Sequence, residues 1–171
     1  MMKYDFKKTS LVNNPIDIDA VDRRLLALLQ QNCALTNQEL AAKAHLSPAT
    51  CLRRVRRLRE SGLIEREMAV LSPDRLAEAI GAGLTAILEV TLDRQDSATL
   101  EQFEAALAGE PTVQQCYRVS AGPDFVLIIH VPDMPAYHAL VQRLLNAERA
   151  VRNVRAFFSV RRSKFAPVLP V

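Results

Sequence analysis

The sequence predicts an α+β fold in two parts, a set of short helices followed by a β-α-β-β-α-β unit. Three observations predict it. Apolar residues recur at helical spacing from Ile18 to about Gly62. From Leu84 onward, apolar runs of strand length alternate with two amphipathic stretches. Between them "LSPDRLAEAIGAG" (Leu71 to Gly83) breaks both patterns and reads as a linker containing a helical turn. The expected organisation is a basic flexible arm over 1–16, a helical domain over 17–70, a linker over 71–83 and the α/β part over 84–171.

In "IDIDAVDRRLLALLQQN", Val21, Leu25, Leu28 and Leu29 fall on one helical face, and Asp19 is a natural cap. Thr36 and Glu39 have the spacing of a capping box, and Leu40 and Ala44 form a short buried stripe. After the break "HLSP", Ser47 suits the N-cap of a third helix, Pro48 its first position and Gly62 its end. Leu52, Val55 and Leu58 are expected to face inward, with Cys51 beside them. "LIEREMAVL" alternates weakly and reads as a short strand or wing. Three helices with a tight turn between the second and third, then a β extension, are the layout of a winged helix-turn-helix.

The second part begins with a strand at Leu84 to Leu92. A helix follows at Ser97 to Gly109 with Leu100, Phe103 and Leu107 inward. A strand at Val113 to Ser120, a turn at Ala121 to Asp124 and an apolar strand at Phe125 to Val131 come next. A helix at Pro135 to Asn146 and a last strand at Val151 to Arg162, with Val154 and Phe158 inward, complete a ferredoxin-like split βαβ order. Two helices cover one face of such a sheet. A second copy of the same sheet is the economical cover for the other.

The formal net charge is only +3, yet the charge is unevenly placed. From Ser47 to Arg66 the chain carries Arg53, Arg54, Arg56, Arg57, Arg59 and Arg66 against Glu60 and Glu65. Like charges at i,i+3 and i,i+4 destabilise a helix, so a polyanion is the expected partner, and double-stranded DNA fits the helix-turn-helix layout. Thr50 and Arg53 are expected at base edges, and Ala49 against a thymine methyl. Arg54, Arg56 and Arg57 should hold phosphates, with Ser47 at the helix start beside them.

The three cysteines, Cys33, Cys51 and Cys116, are widely spaced and odd in number, which fits buried thiols in a reducing, cytoplasmic setting rather than a disulfide framework. No secretory h-region and no membrane-length apolar run appears. His45, His130 and His138 share no metal-ligand spacing, and no nucleophile or phosphate-loop motif is present, so neither an enzyme nor a metal site is expected. "GAGLTA" opens a strand rather than a helix and reads as a hinge. On composition the "SAGPDF" turn reads first as an ordinary hairpin turn; alternatively, amides around Gly122 and the carboxylate of Asp124 could hold the two ends of a zwitterion.

"IDAVDRRLLALLQ", "LTNQELAAKAHLSPATCLRRVRRLRESGLI", "VPDMPAY" and the Gly122-x-Asp124 turn resemble the leucine-responsive/AsnC-type bacterial transcription regulators, the feast/famine regulators, over Asp17 to about Pro170. The resemblance implies an N-terminal DNA-binding domain and a C-terminal domain that pairs into dimers, often gathered as an octamer of four dimers. It implies an amino acid effector, leucine or another small apolar one, bound between dimers. The ligand turn carries over onto Ser120, Ala121, Gly122 and Asp124. Side-chain choice is expected from Tyr137 and Ser159, placed nearby. The expected function is therefore a sequence-specific, amino-acid-responsive regulator. The alternative is an effector-independent architectural protein that wraps or bridges DNA, with Lys3, Lys7, Lys8 and the basic "SVRRSKF" end as further phosphate contacts.

Overall fold

The structure, a computed structural model, describes residues 17–81, 83–145 and 150–171. The expected arm over 1–16 lies outside the described residues. The described chain forms two compact units, one of residues 17–70 with 164–171 and one of residues 71–163.

In the first unit, α1 (Ala20–Gln31), α2 (Asn37–Ala44) and α3 (Pro48–Glu60) start where the capping residues place them. Asp19 and Asp22 form a reciprocal capping box on α1, Thr36 and Glu39 another on α2, and the Ser47 hydroxyl accepts from the Thr50 N–H. Each such cap is worth about 0.5–2 kcal/mol. Between α2 and α3 the chain turns at His45, whose positive φ of 58° places it in the left-handed region. Gly62, at φ 79°, turns the chain out of α3.

Leu25, Leu26, Leu40, Ala41, Ala44, Cys51, Val55 and Leu58 make the core of this unit. Leu52 does not join them: it is 57% exposed, and Cys51 takes the inward place assigned to it. Cys33, expected in a buried helical position, lies beyond the end of α1 and is exposed. The segment expected as a strand after Gly62 has no strand pairing, and Met68 and Val70 are exposed. The C-terminal segment joins this unit through Gln30 on α1. Its Nε2 donates to the Leu169 carbonyl (2.9 Å), and its Oε1 accepts from the Leu169 N–H (2.7 Å).

The second unit opens with α4 (Pro73–Ile80), longer than the single turn expected. The sheet follows: β1 (Leu84–Leu92), β2 (Val113–Arg118), β3 (Phe125–Val131) and β4 (Val151–Phe158), with α5 (Ser97–Leu107) and α6 (Met134–Leu144). All neighbours are antiparallel, in the order β2-β3-β1-β4. Alternation sends Ala86, Leu88, Val90 and Leu92 of β1 and Phe125, Leu127, Ile129 and Val131 of β3 to one face, where Phe103, Leu107, Leu140 and Leu144 of the two helices meet them. Ile87 on the other face pairs with Ile128 on one side and Phe157 on the other. The outer strands are shorter than expected, β2 ending at Arg118 and β4 at Phe158. Phe158, expected inward, is 41% exposed, with its ring edge against Tyr137 at 4.9 Å.

"GAGLTA" is not simply a loose hinge. The His130 ring, held at 3.0 Å from the Thr85 hydroxyl, lies where a Cβ on Gly83 would sit, 2.4 Å from Nε2. Among the described residues no helix is long and apolar enough to cross a membrane.

Candidate DNA-reading helix and ligand turn

The third helix shows two faces. Cys51, Val55 and Leu58 are buried, while Ala49, Arg53, Arg56 and Arg57 are exposed and Thr50 is half-buried. Its N-terminus is braced: Asn37 donates to the Pro48 carbonyl (2.9 Å), and the Ser47 hydroxyl bonds the Thr50 hydroxyl (2.9 Å). Arg53 makes no ion pair among the described residues. Arg56 reaches Glu60 one turn on (2.7 Å), which raises its pKa.

Arg54 and Arg57 are engaged elsewhere. Asp22 of α1 is fully buried, and its carboxylate accepts from Arg54 Nη1 (2.9 Å) and from Arg57 Nη2. Arg54 Nη1 also bonds Asp19 (2.7 Å), so it bridges two carboxylates. The Asp22 backbone N–H and then the Arg54 guanidinium hold the Asp19 carboxyl below its ordinary range; Asp19 and then Asp22 push Arg54 up. The phosphate role expected of Arg54 conflicts with this arrangement. Its side chain is only 22% exposed, against 78% for Arg56 and 49% for Arg57. Sequence reasoning missed Asp22, although its place in the i,i+3 capping pair with Asp19 was visible.

In the sheet unit, the turn between β2 and β3 leaves Ser120, Ala121 and Gly122 exposed and Asp124 buried. Gly122 has φ 87°, with open space where a Cβ would stand, so the requirement for glycine is conformational rather than steric. Asp124 is fixed at three points. Its N–H donates to the Val90 carbonyl (2.9 Å), its carbonyl accepts from the Val119 N–H (3.0 Å) and its Oδ2 accepts from the Leu92 N–H (2.7 Å). The turn walls an open cavity of about 250 Å³, completed by Gln95, Leu100 and Arg118. Sequence reasoning missed these three. Arg118, the last residue of β2, forks onto Glu104 of α5 at 3.0 and 2.8 Å.

Tyr137 and Ser159 are not beside this turn within one chain. The Ser159 N–H donates to the Thr85 carbonyl near the start of β1, whereas Phe125 after the turn pairs with Val90 near its end. At ~3.4 Å per residue those points are roughly 17 Å apart. Tyr137 stands with Phe158 at the Ser159 end.

A family model for winged helix-turn-helix DNA-binding domains matches residues 18–65, and one for the Lrp/AsnC ligand binding domain matches residues 85–169. The chain belongs to the Lrp/AsnC family. As a member, it is a DNA-binding transcription regulator with a ligand-binding domain, not an enzyme. It is 38% identical over 141 residues to the leucine-responsive regulatory protein of Salmonella typhimurium, covering 82% of this chain and 84% of that one. An uncharacterised HTH-type transcriptional regulator of Haemophilus influenzae is 39% identical, with 82% of each chain covered. Among Lrp/AsnC-like solved structures, a Neisseria meningitidis transcriptional regulator in complex with L-methionine aligns with TM-score 0.75 and 30% identity, over 90% of this chain and 97% of that one. An AsnC family regulator from Agrobacterium tumefaciens gives TM-score 0.76 at 30% identity with the same coverage.

Proposed function

We propose that this regulator reads a specific operator with α3 and changes its activity when a small amino acid, leucine or another apolar one, binds at the Ser120–Asp124 turn. Thr50, Arg53 and Ala49 face base edges; Arg56 and the exposed side of Arg57 meet phosphates, with Ser47 beside them. The protein works in the cytoplasm as a homodimer, closed by the outer sheet face where Ile87, Tyr117 and Phe157 are exposed, and dimers gather into an octamer. Tyr137 and Ser159 then act on side-chain choice only if a second chain brings them to the turn.

One observation carries the effector reading. Asp124 is buried beside an exposed glycine turn, and its carboxylate has a backbone N–H but no ion pair among the described residues. A buried carboxylate without a cation is costly, and an ammonium group is the matching partner. Backbone amides around Gly122, with Arg118 at the cavity wall, suit the carboxylate of the same ligand. The complex of the Neisseria meningitidis regulator with L-methionine supports the ligand class.

Isothermal titration of the full chain against the twenty amino acids tests this. Asp124→Asn keeps an oxygen for the Leu92 N–H and removes the charge. It should weaken every amino acid that binds by roughly ten- to a hundredfold without changing their order. Unchanged affinity would move the site elsewhere. No binding by any amino acid, with DNA affinity intact, would return the architectural alternative.

A further inference from the structure

We propose that Asp22 is a positioning residue for DNA recognition: its buried carboxylate ties α3 to α1 through Arg54 and aims Arg57, so that Arg54 holds the helix and binds no phosphate. The inference rests on α3 being the DNA-reading helix and divides the work among its arginines.

The local charge count supports it. Asp19 and Asp22 carry two negative charges, and Arg54 and Arg57 two positive ones, so the cluster is neutral in the free protein. Salt-dependent DNA affinity comes from cations that replace counterions on phosphates. A guanidinium bonded to two carboxylates, one of them fully buried, must break those bonds first, leaving Asp22 without one of its partners. Arg57 differs. One Nη meets Asp22 while half of the side chain stays in solvent, so the same bond that restrains it leaves it free to meet a phosphate. Arg53 and Arg56 lie on the exposed side without any link to α1.

Position matters as well as charge. The bonds to Asp22 come from Arg54 and Arg57, about one turn apart on the same side of α3. Two anchors a turn apart oppose both rolling and sliding of α3 over α1, motions that apolar packing at Cys51, Val55 and Leu58 resists less directionally. Arg53 lies next to the first anchor, so its reach toward a base edge depends on that seat.

The experiment uses the full chain, a duplex selected in vitro for tight binding to the unaltered protein, and a random-sequence duplex, each titrated over a range of salt. Arg54→Met should leave the log–log salt slope on random sequence unchanged, whereas Arg57→Met and Arg56→Met should each lower it by about 0.9. Asp22→Asn should keep the slope and reduce preference for the selected duplex by about tenfold or more, the size of one lost base contact. Measurements are made below the unfolding transition of each variant. If Asp22→Asn does not fold, Arg54→Met still decides, because Asp22 keeps Arg57 as a partner. A slope lowered by Arg54→Met as much as by Arg57→Met would overturn the proposal, as would full discrimination in folded Asp22→Asn. If no arginine variant from 53 to 57 moved the slope, the assignment of α3 itself would fail instead.

Discussion

Asp22 and Asp124 are the two acidic side chains buried among the described residues, one in each unit, and they are satisfied in opposite ways. Asp22 is saturated by charge: two guanidinium groups reach it, and the Asp19 N–H adds a third bond at 3.3 Å. Asp124 is saturated by neither: one neutral N–H holds it, and no cation of the described residues pairs with it. A carboxylate already matched inside the protein serves the fold. One held in place but left without a counter-charge is, under the proposed function, the one that takes a charge from outside.

The largest effect that could break this comparison is Asp22→Ala. It removes the buried anion that Arg54 and Arg57 share and leaves Arg54 only Asp19, and should cost toward the lower end of roughly 3–5 kcal/mol in the helical unit. Denaturant unfolding followed by circular dichroism measures it; a loss below about 1 kcal/mol would mean that the arginines relax into solvent without penalty. Asp124→Ala should cost less, about 1–3 kcal/mol, since only the Leu92 N–H loses its acceptor. Asp124→Asn should recover most of that stability and none of the ligand affinity. Recovery of both would show that the charge of Asp124 has no role. The smallest effect concerns acid. The Asp19 carboxyl is held below its ordinary value of 3.8 by the Asp22 N–H and then by Arg54, so its contribution is present above that value and lost as pH falls through the lower folded one. An acid titration of the helical unit should be shallower in Asp19→Asn than in the unaltered chain in that window, while the sheet unit should not distinguish the two.

Which parts were legible from sequence follows from the range of the interactions. Caps at Asp19, Thr36 and Ser47 bond within three residues of themselves, and they were readable for that reason. The succession of strands and helices in the sheet unit was legible from apolar runs of strand length and the two amphipathic stretches between them. Leu52 failed on a matter of angle: at about 100° per residue it lies at the margin of the stripe that Cys51, Val55 and Leu58 centre, and the narrow contact of α3 leaves margins in solvent. The partners of the arginines were hidden because the acids come from α1, more than thirty positions earlier (|i−j| of 32 for Arg54 and 35 for Arg57), and many arginines competed for them. The charge run looked unbalanced only because its balance sits on another helix. Tyr137 and Ser159 stand away from the turn of their own chain for a different reason. The turn precedes β3 and Tyr137 follows it, so an antiparallel sheet sends them to opposite ends.

The clasp of Gln30 on Leu169 decides where a handle can be attached to this protein. Val171 follows directly after a segment bonded to α1, so an affinity tag or fluorophore fused there hangs from the DNA-binding unit, although the sequence just before it belongs to the sheet. A piece cut at Leu84 to isolate the sheet carries that segment away from Gln30, together with Phe165, Val168, Leu169 and Val171, which are exposed in the full chain as well. Stopping such a piece at Ser163 removes the sticky end and keeps every strand.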